Sequence, residues 1–251
     1  MSQYLTKRMF ADIPIFECGI VDSTQSIANN LINTGEIVEL IQNPNLSAIV
    51  TATHQLEGRG RRDRVWQSEE LSSFIWTFIV PRREKQDQAK VRSIVTSIVQ
   101  VLNAQSLNVK IKWPNDIVVE VDNRIKKLGG VLTEVQNDFL IIGVGINLRS
   151  SFFNDDISSS AISLEEIGFD MSEEDTLNSV IDLILHQKSD ETFVLYKTLL
   201  ATLGQDVRVE MLNRVVEGKA TDVDFDGTLT IDSLGNIVQV SEGDVIHLRN
   251  H

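Results

Sequence analysis

Four stretches of the 251-residue chain combine cations, carboxylates and residues without side chains in ways that suit an anionic substrate. Gly58-Arg59-Gly60-Arg61-Arg62-Asp63-Arg64 carries a local charge of +3 in a chain of net charge −13. Its two Gly let the backbone turn sharply and approach a ligand. Its Arg side chains give planar, multi-donor recognition of phosphate or carboxylate, and Trp66 just beyond supplies an apolar wall. Lys112-Trp113-Pro114-Asn115-Asp116 sits between two strand-like runs. Pro holds the preceding residue extended and Asn-Asp favours a tight turn, so an amide and a carboxylate are presented at a strand end. Lys126-Lys127-Leu128-Gly129-Gly130 sets a lysine, able to hold an anion, beside two residues over which a ligand can lie flat. Gly143-Val144-Gly145-Ile146-Asn147 clears one face of a strand in the same way.

Each stretch also has an ordinary reading when taken alone. The Arg run can be a solvated loop, the Asn-Asp a mere strand-ending turn, and the Lys pair a hairpin end. The Arg run can equally be a nucleic-acid patch, although no second basic cluster accompanies it. Gly143-x-Gly145 is not a dinucleotide fingerprint, since Leu148 stands where the third Gly would follow, and no GxxxxGK[ST] phosphate loop occurs.

The surrounding pattern predicts the elements that must position these residues. Ile15–Val21 reads as a strand ending at Asp22-Ser23-Thr24, where Ser or Thr can cap a helix carrying Ile27, Ala28, Leu31 and Ile32 and stopping near Gly35. Ala48–Thr53 and Phe74–Val80 read as strands, the second stopped by Pro81. Asp87–Ala104 has the 3/4 spacing of an amphipathic helix. Val109–Trp113, Ile117–Val121, Leu128–Val135 and Phe139–Leu148 are strand-like, and residues 150–160 read as a mobile loop. Asp175–Leu203 is helical with a break near Lys188–Asp190. From Gln205 onward, short alternating strands separated by Asp226-Gly227, Leu234-Gly235-Asn236 and Glu242-Gly243 predict a small all-β barrel packed on the main domain.

Composition bounds the class. Hydrophobic residues at 42% and charged residues at 24% fit a globular chain with a sizeable core. The single Cys18 excludes an internal disulfide and a multi-thiolate metal site, and the four His show no metal-ligand spacing. No apolar run is long enough to span a bilayer, and no signal core precedes the first strand, which predicts a cytoplasmic protein with no membrane partner. The acidic balance argues against a general nucleic-acid binder.

Taken together, the motifs resemble the biotin–protein ligase family. Five occur in family order: DST at 22–24, Q-x-x-GRGRR at 55–62 followed by Trp66, KWPND at 112–116, KKLGG at 126–130 and GVGIN at 143–147. The tail from LGQDV to EGDVIHL is similar to that family's SH3-like domain. The resemblance implies an α+β fold: a mixed β-sheet with helices packed on one side, as in class II synthetases, over residues 1–203, and a small SH3-like barrel over 204–251. It implies activation of biotin by ATP and Mg²⁺ to biotinyl-5′-AMP, followed by transfer to a lysine of a biotin carboxyl carrier protein or domain. Arg61 and Lys127 match the catalytic cations. Ser23, Thr24, Gln55, Gly58, Arg59, Trp66, Gly130, Gly143 and Gly145 match biotin-binding positions. Arg61, Arg62, Arg64, Asn115, Asp116, Lys127 and Asn147 match positions around ATP and the adenylate, and the loop 150–160 matches the segment that folds over it. Direct metal ligands remain unknown, and a homodimer is left open.

Two departures from the family pattern stand out. Glu57 and Asp63 add negative charge to the Arg loop, where Asp63 is also expected to stiffen the backbone, and Glu69-Glu70-Leu71-Ser72-Ser73 replaces the usual Gly and Asn. Some members carry an N-terminal helix-turn-helix. The roughly 14 residues before the first expected strand are too few for three helices, which predicts a ligase without DNA binding. A lipoate or octanoyl ligase on the related fold is the near alternative, and a nucleic-acid-binding module the distant one.

Overall fold

The structure, a computed structural model, describes residues 5–37, 43, 45–62, 64–151, 153 and 155–248. Asp63, with its expected stiffening of the loop, lies outside the described residues, as do residues 152 and 154 of the predicted 150–160 loop. A hairpin opens the described chain: β1 (Thr6–Phe10) pairs antiparallel with β2 (Ile13–Val21) across Ala11-Asp12, both at left-handed φ of 47° and 62°. Such a two-residue turn matches the twist of its strands, but its sequence signal is Asn-Gly or Asp-Gly. Ala-Asp gives no such signal, and β1 is absent from the sequence reading.

After β2 comes α1 (Thr24–Asn33), with Ser23 extended at its N-cap and Gly35 at φ 77° just past its end. β3 (Ala48–Gln55) runs parallel to β2, and β4 (Ser73–Pro81) runs antiparallel to β3. α2 (Asp87–Asn103) follows a 3-10 turn at Glu84–Gln86. β5 (Val109–Lys112), β6 (Asp116–Val121), β7 (Arg124–Gln136) and β8 (Phe139–Asn147) form a meander whose last strand inserts beside β4. The result is one eight-stranded mixed sheet in the order β1-β2-β3-β4-β8-β7-β6-β5.

Alternation along the central strands buries both faces. Ile15, Ile49, Trp76 and Phe78 pack with Ile94, Ile98 and Leu102 of α2. They share that layer with Leu177, Val180 and Ile181 of α4 (Glu173–His186) and Tyr196 of α5 (Ser189–Leu199). The longest helices therefore cover one side of the sheet, as the resemblance implies. On the opposite face Phe16, Val50, Ile79 and Ile141 pack with Ala28, Leu31 and Ile32 of the shorter α1. Burying each such large side chain stabilises the fold by about 1.5–3 kcal/mol.

The expected loop at 150–160 contains a short helix, α3 (Asp155–Ser158), which aperiodic sequence did not reveal. Its exit is anchored: Lys127 N–H donates to Ser160 O (2.8 Å) and Ile162 N–H to Lys127 O (2.9 Å). The tail strands β9 (Asp206–Glu210), β10 (Val215–Val223), β11 (Leu229–Ser233), β12 (Asn236–Val240) and β13 (Asp244–His247) make a five-stranded antiparallel sheet in the order β12-β11-β10-β9-β13. Among the described residues β12 and β13 are its two edges, so the predicted barrel is an open sheet here.

Candidate active site

The loop between β3 and β4 folds back on itself. Gly60 N–H donates to Arg64 O (2.7 Å), Trp66 N–H donates to Gly58 O (2.9 Å), and Arg62 occupies the tip at φ 53°. A Cβ on Gly58 would lie 2.4 Å from Trp66 O, so only glycine fits that approach. The segment before β4 departs from the family pattern at a cost: Leu71 sits at φ 57°, a conformation that Gly or Asn takes more readily.

The folded loop overhangs a cleft of about 400 Å³ above β7 and β8. Arg61 and Lys127, 66 positions apart in sequence, both line it. Adjacent residues of one turn receive them. Arg61 Nη1 donates to Asn115 Oδ1 (3.1 Å), and Lys127 Nζ pairs with Asp116 Oδ1 (2.6 Å). Asn115 is itself clamped to β7, donating from Nδ2 to Val131 O (2.6 Å) and accepting Val131 N–H at its carbonyl (2.9 Å).

A β-bulge brings Lys127 into the cleft. Asp116 faces Gly130 and Ile117 faces Gly129, but Val118 faces Lys127, so Leu128 is the extra residue. Strand alternation alone would turn residues 127 and 130 to opposite faces. The bulge re-aims the lysine, and a Cβ on Gly130 would lie 3.3 Å from Lys127 Nζ. Leu128 is driven into the core, fully buried.

The opposite end of the cleft is polar and uncharged. Thr24 donates from N–H (2.8 Å) and Oγ1 (3.0 Å) to Gln55 Oε1, and Thr77 Oγ1 donates to Thr24 Oγ1 (2.8 Å). This chain fixes the Gln55 amide and leaves Nε2 as its donor. Gly130 and Gly145 pair side by side on β7 and β8, with Gly143 next along β8. Trp66 lies directly on Gly145, where a Cβ would come within 2.5 Å of its indole. Its buried Nε1 has no hydrogen-bond partner among the described residues.

The cleft thus gathers Thr24, Gln55, Arg59, Arg61, Arg64, Trp66, Asn115, Asp116, Lys127, Gly130, Gly143 and Gly145. Other sequence-predicted residues sit elsewhere. Ser23 is buried at the start of α1, and Gly58 and Arg62 border a shallower depression with Glu57, Leu56 and Leu212. Asn147 is buried behind the sheet end, donating to Ile162 O (3.1 Å).

Sequence reasoning missed several lining residues. Gln25, one residue past the DST motif, meets Gly143 and donates to Leu132 O (3.3 Å). Lys112, the first residue of KWPND, is half-buried in the cleft wall, and burial lowers its pKa against the opposing pull of Asp116. Glu210 and Asp244 come from the tail, and no local pattern marks them. Asp244 Oδ2 accepts from Arg62 Nη1 (3.1 Å) and Arg64 Nη2 (2.7 Å), while Arg59 pairs with Glu134 (3.0 Å). All four guanidiniums of the loop are therefore engaged within the chain. Nearby His247 is pushed down to about 4 by burial and by Lys112, and so stays neutral near pH 7.

Chemically, the cleft offers two cations held by one turn, a glycine-cleared sheet surface, and an uncharged hydrogen-bonding end. That suits an elongated ligand with a polar neutral head and an acidic tail, next to a second anion. Residues 21–147 match the profile of the biotin/lipoate A/B protein ligase family, and residues 202–248 match the biotin protein ligase C-terminal domain. The biotin–[acetyl-CoA-carboxylase] ligase of Mycobacterium tuberculosis is 29% identical over 216 residues, covering 80% of this chain and 79% of its own. The bifunctional ligase/repressor BirA of Bacillus spizizenii is 27% identical over 245 residues, covering 90% and 71%. In three dimensions the fold is similar to the biotin protein ligase of Aquifex aeolicus, solved with biotin and ATP, at a TM-score of 0.75 and 23% identity over 94% of this chain and 99% of that one.

Proposed function

The chain belongs to the biotin/lipoate A/B protein ligase family, and from that premise we propose that it is a biotin–protein ligase. A biotin carboxylate oxygen attacks the α-phosphorus of ATP, pyrophosphate leaves, and biotinyl-5′-AMP forms. The amine of a carrier-protein lysine then attacks the acyl carbon, loses its proton, and releases AMP. One observation carries this reading: Arg61 and Lys127 converge on Asn115-Asp116 in a cleft whose other end is the Thr24–Gln55 pair.

The two reacting groups are both anions, and their repulsion must be offset while they are aligned. Holding reactants in attack geometry lowers a barrier by up to about 7–11 kcal/mol, and preorganised charge is usually the largest catalytic term. Arg61 and Lys127 supply that charge. Asn115 and Asp116 keep both cations in place before substrate arrives. The ureido head of biotin, neutral and polar, requires partners in a dry pocket, which Thr24 and Gln55 provide, with Gly143, Gly145 and Trp66 enclosing it. Arg59 and Arg64 border the entry for the phosphates.

Magnesium fits as an ion carried in on ATP. Among the described residues no group of three or more His, Cys, Asp or Glu side chains could hold a metal. Asp116 offers a carboxylate at the site, and Mg²⁺ binds readily through one or two carboxylates plus phosphates and water.

In this reading residues 1–203 form the catalytic domain, and 204–251 the tail that closes over the Arg loop. The partner in this reading is a carrier protein rather than DNA, because no second basic cluster accompanies the Arg loop in a chain of net charge −13. No described helix is long and apolar enough to cross a membrane, and we assign the reaction to the cytoplasm. Mass spectrometry of the protein incubated with biotin, ATP and Mg²⁺ tests the reading. Bound biotinyl-AMP is expected. No adenylate, or a faster reaction with lipoate than with biotin, overturns it.

A further inference from the structure

Arg92 of α2 is 96% buried, yet its Nη1 and Nη2 have no hydrogen-bond partner among the described residues. Leaving a buried charged group without such partners is costly. Three aromatic rings surround it, and the Asp226 carboxylate of the same tail turn lies near enough to favour its charge. The guanidinium carbon lies 4.6 Å from the Phe225 ring centroid, 5.1 Å from that of Phe193 and 6.0 Å from that of Tyr196. Phe193 and Tyr196 belong to α5, while Phe225 stands in the turn between β10 and β11 of the tail. Phe193 and Phe225 also meet edge-to-face at 5.2 Å. A desolvated cation over aromatic faces binds them more strongly than an exposed one.

The turn that carries Phe225 touches the active site. Gly227 N–H donates to Asp224 O and Asp224 N–H to Thr228 O (2.9 Å each), which makes 224–228 a compact unit. The Gly227 carbonyl accepts the Trp113 indole N–H at 2.8 Å. Trp113 directly precedes Pro114-Asn115-Asp116, the turn that receives Arg61 and Lys127. A cavity of about 340 Å³, bordered by Arg92, Trp113, Asn115, Arg61 and Gly227, lies between these groups. Dense packing therefore does not hold the tail turn on this side. Among the described residues the Arg92 cluster, the α5 ion pair Lys197–Asp222 and the Trp113–Gly227 hydrogen bond hold it, with Gln88 of α2 beside Gly227.

We propose that Arg92 is a positioning residue for adenylate formation: its stacked guanidinium seats the 224–228 turn against Trp113, and so sets the Asn115-Asp116 groups that aim Arg61 and Lys127. The proposal rests on the ligase reading of the cleft. Arg92 touches no substrate. The polar end at Thr24 and Gln55 lies outside this chain of contacts, so biotin binding and adenylation respond differently to its loss.

The test compares wild type with Arg92→Met, which keeps length and apolar bulk without charge, and Arg92→Lys, which keeps a cation over the rings. Single-turnover adenylate formation, biotin affinity by calorimetry and amide exchange are measured well below each variant's melting temperature. Arg92→Met is expected to form adenylate at least tenfold more slowly with biotin affinity within about twofold of wild type, and Arg92→Lys to recover most of the rate. Adenylation within twofold of wild type in Arg92→Met overturns the proposal, as does an equal loss of biotin affinity. Should Arg92→Met not fold, Phe225→Leu takes its place under the same criteria. Should wild type itself make no adenylate, the ligase reading falls by itself. The positioning role is then decided by exchange at residues 113–117: faster exchange in the variant supports it, and unchanged exchange overturns it.

Discussion

In the proposed reaction Lys127 and Arg61 divide the work on the two acids, and their removal should separate binding from chemistry. Among the described residues the Lys127 ammonium bonds only to a carboxylate of the turn, and it lies over the Gly130 side of the cleft, away from the Thr24–Gln55 end. Lys127→Ala is therefore expected to slow adenylate formation about 100-fold, the scale of losing one preorganised donor, with biotin affinity changed by less than about threefold. Calorimetry beside single-turnover kinetics checks this, and a selective loss of binding contradicts it. Arg61 reaches Asn115 from the overhanging loop, and its carbon chain closes the same mouth. Arg61→Gly is expected to shorten the lifetime of bound adenylate at least tenfold and to release it onto nearby lysines. An unchanged half-life in a filter-retention assay counts against the role.

Between elements, the informative contact is the one from α4 to β4. Glu173 in the first turn of α4 accepts the Trp76 indole N–H at 2.8 Å. A helix N-terminus favours negative charge, but burial outweighs it, and the carboxyl is pushed up to about 7 from 4.5, with Glu17 adding to the rise. A carboxyl raised in the folded state favours folding most below the unfolded value of 4.5. That contribution is lost as pH rises through about 7. Glu173→Gln keeps the acceptor for Trp76 and cannot ionise. Melting temperatures of the two proteins should therefore diverge between pH 5 and pH 8, with wild type losing ground as pH rises. An equal gap at both pH values would disprove the coupling. The same scale explains Lys127: the bulge at Leu128, a feature of strand pairing, decides which of two adjacent lysines meets Asp116.

Across the whole molecule, the tail completes the site from 180 residues away. Asp244 gathers Arg62 and Arg64 on one carboxylate oxygen, and Gly243 O receives Arg61 at 3.4 Å. Partly exposed ion pairs contribute little to stability, about 0–1 kcal/mol, so the value of these lies in where they hold the loop. Asp244→Ala is expected to lower the melting temperature only slightly while raising the KM for ATP about tenfold. Steady-state kinetics at low salt checks it, and an unchanged KM for ATP would show that the loop holds its shape without the tail.

The strands and helices that carry the motifs were legible because each follows a local rule. α2 shows a 3/4 apolar spacing over Asp87–Asn103, β4 is a continuous apolar run ended by Pro81, and the tail turns fall at Asp-Gly, Leu-Gly-Asn and Glu-Gly. The cleft's main residues were legible too, since motif identity named Arg61, Lys127, Thr24 and Gln55 without reference to distance. Four things were not. β1 turns on Ala-Asp, α3 lies in aperiodic sequence, Lys127 owes its direction to a bulge, and Asp244, Glu210 and Arg92 act through partners far along the chain. Periodicity and turn chemistry are properties of neighbouring residues, so one dimension records them. Which carboxylate meets which guanidinium is a property of strand pairing and of how the tail packs, and only the folded chain brings those groups within a bond length of each other's hydrogens.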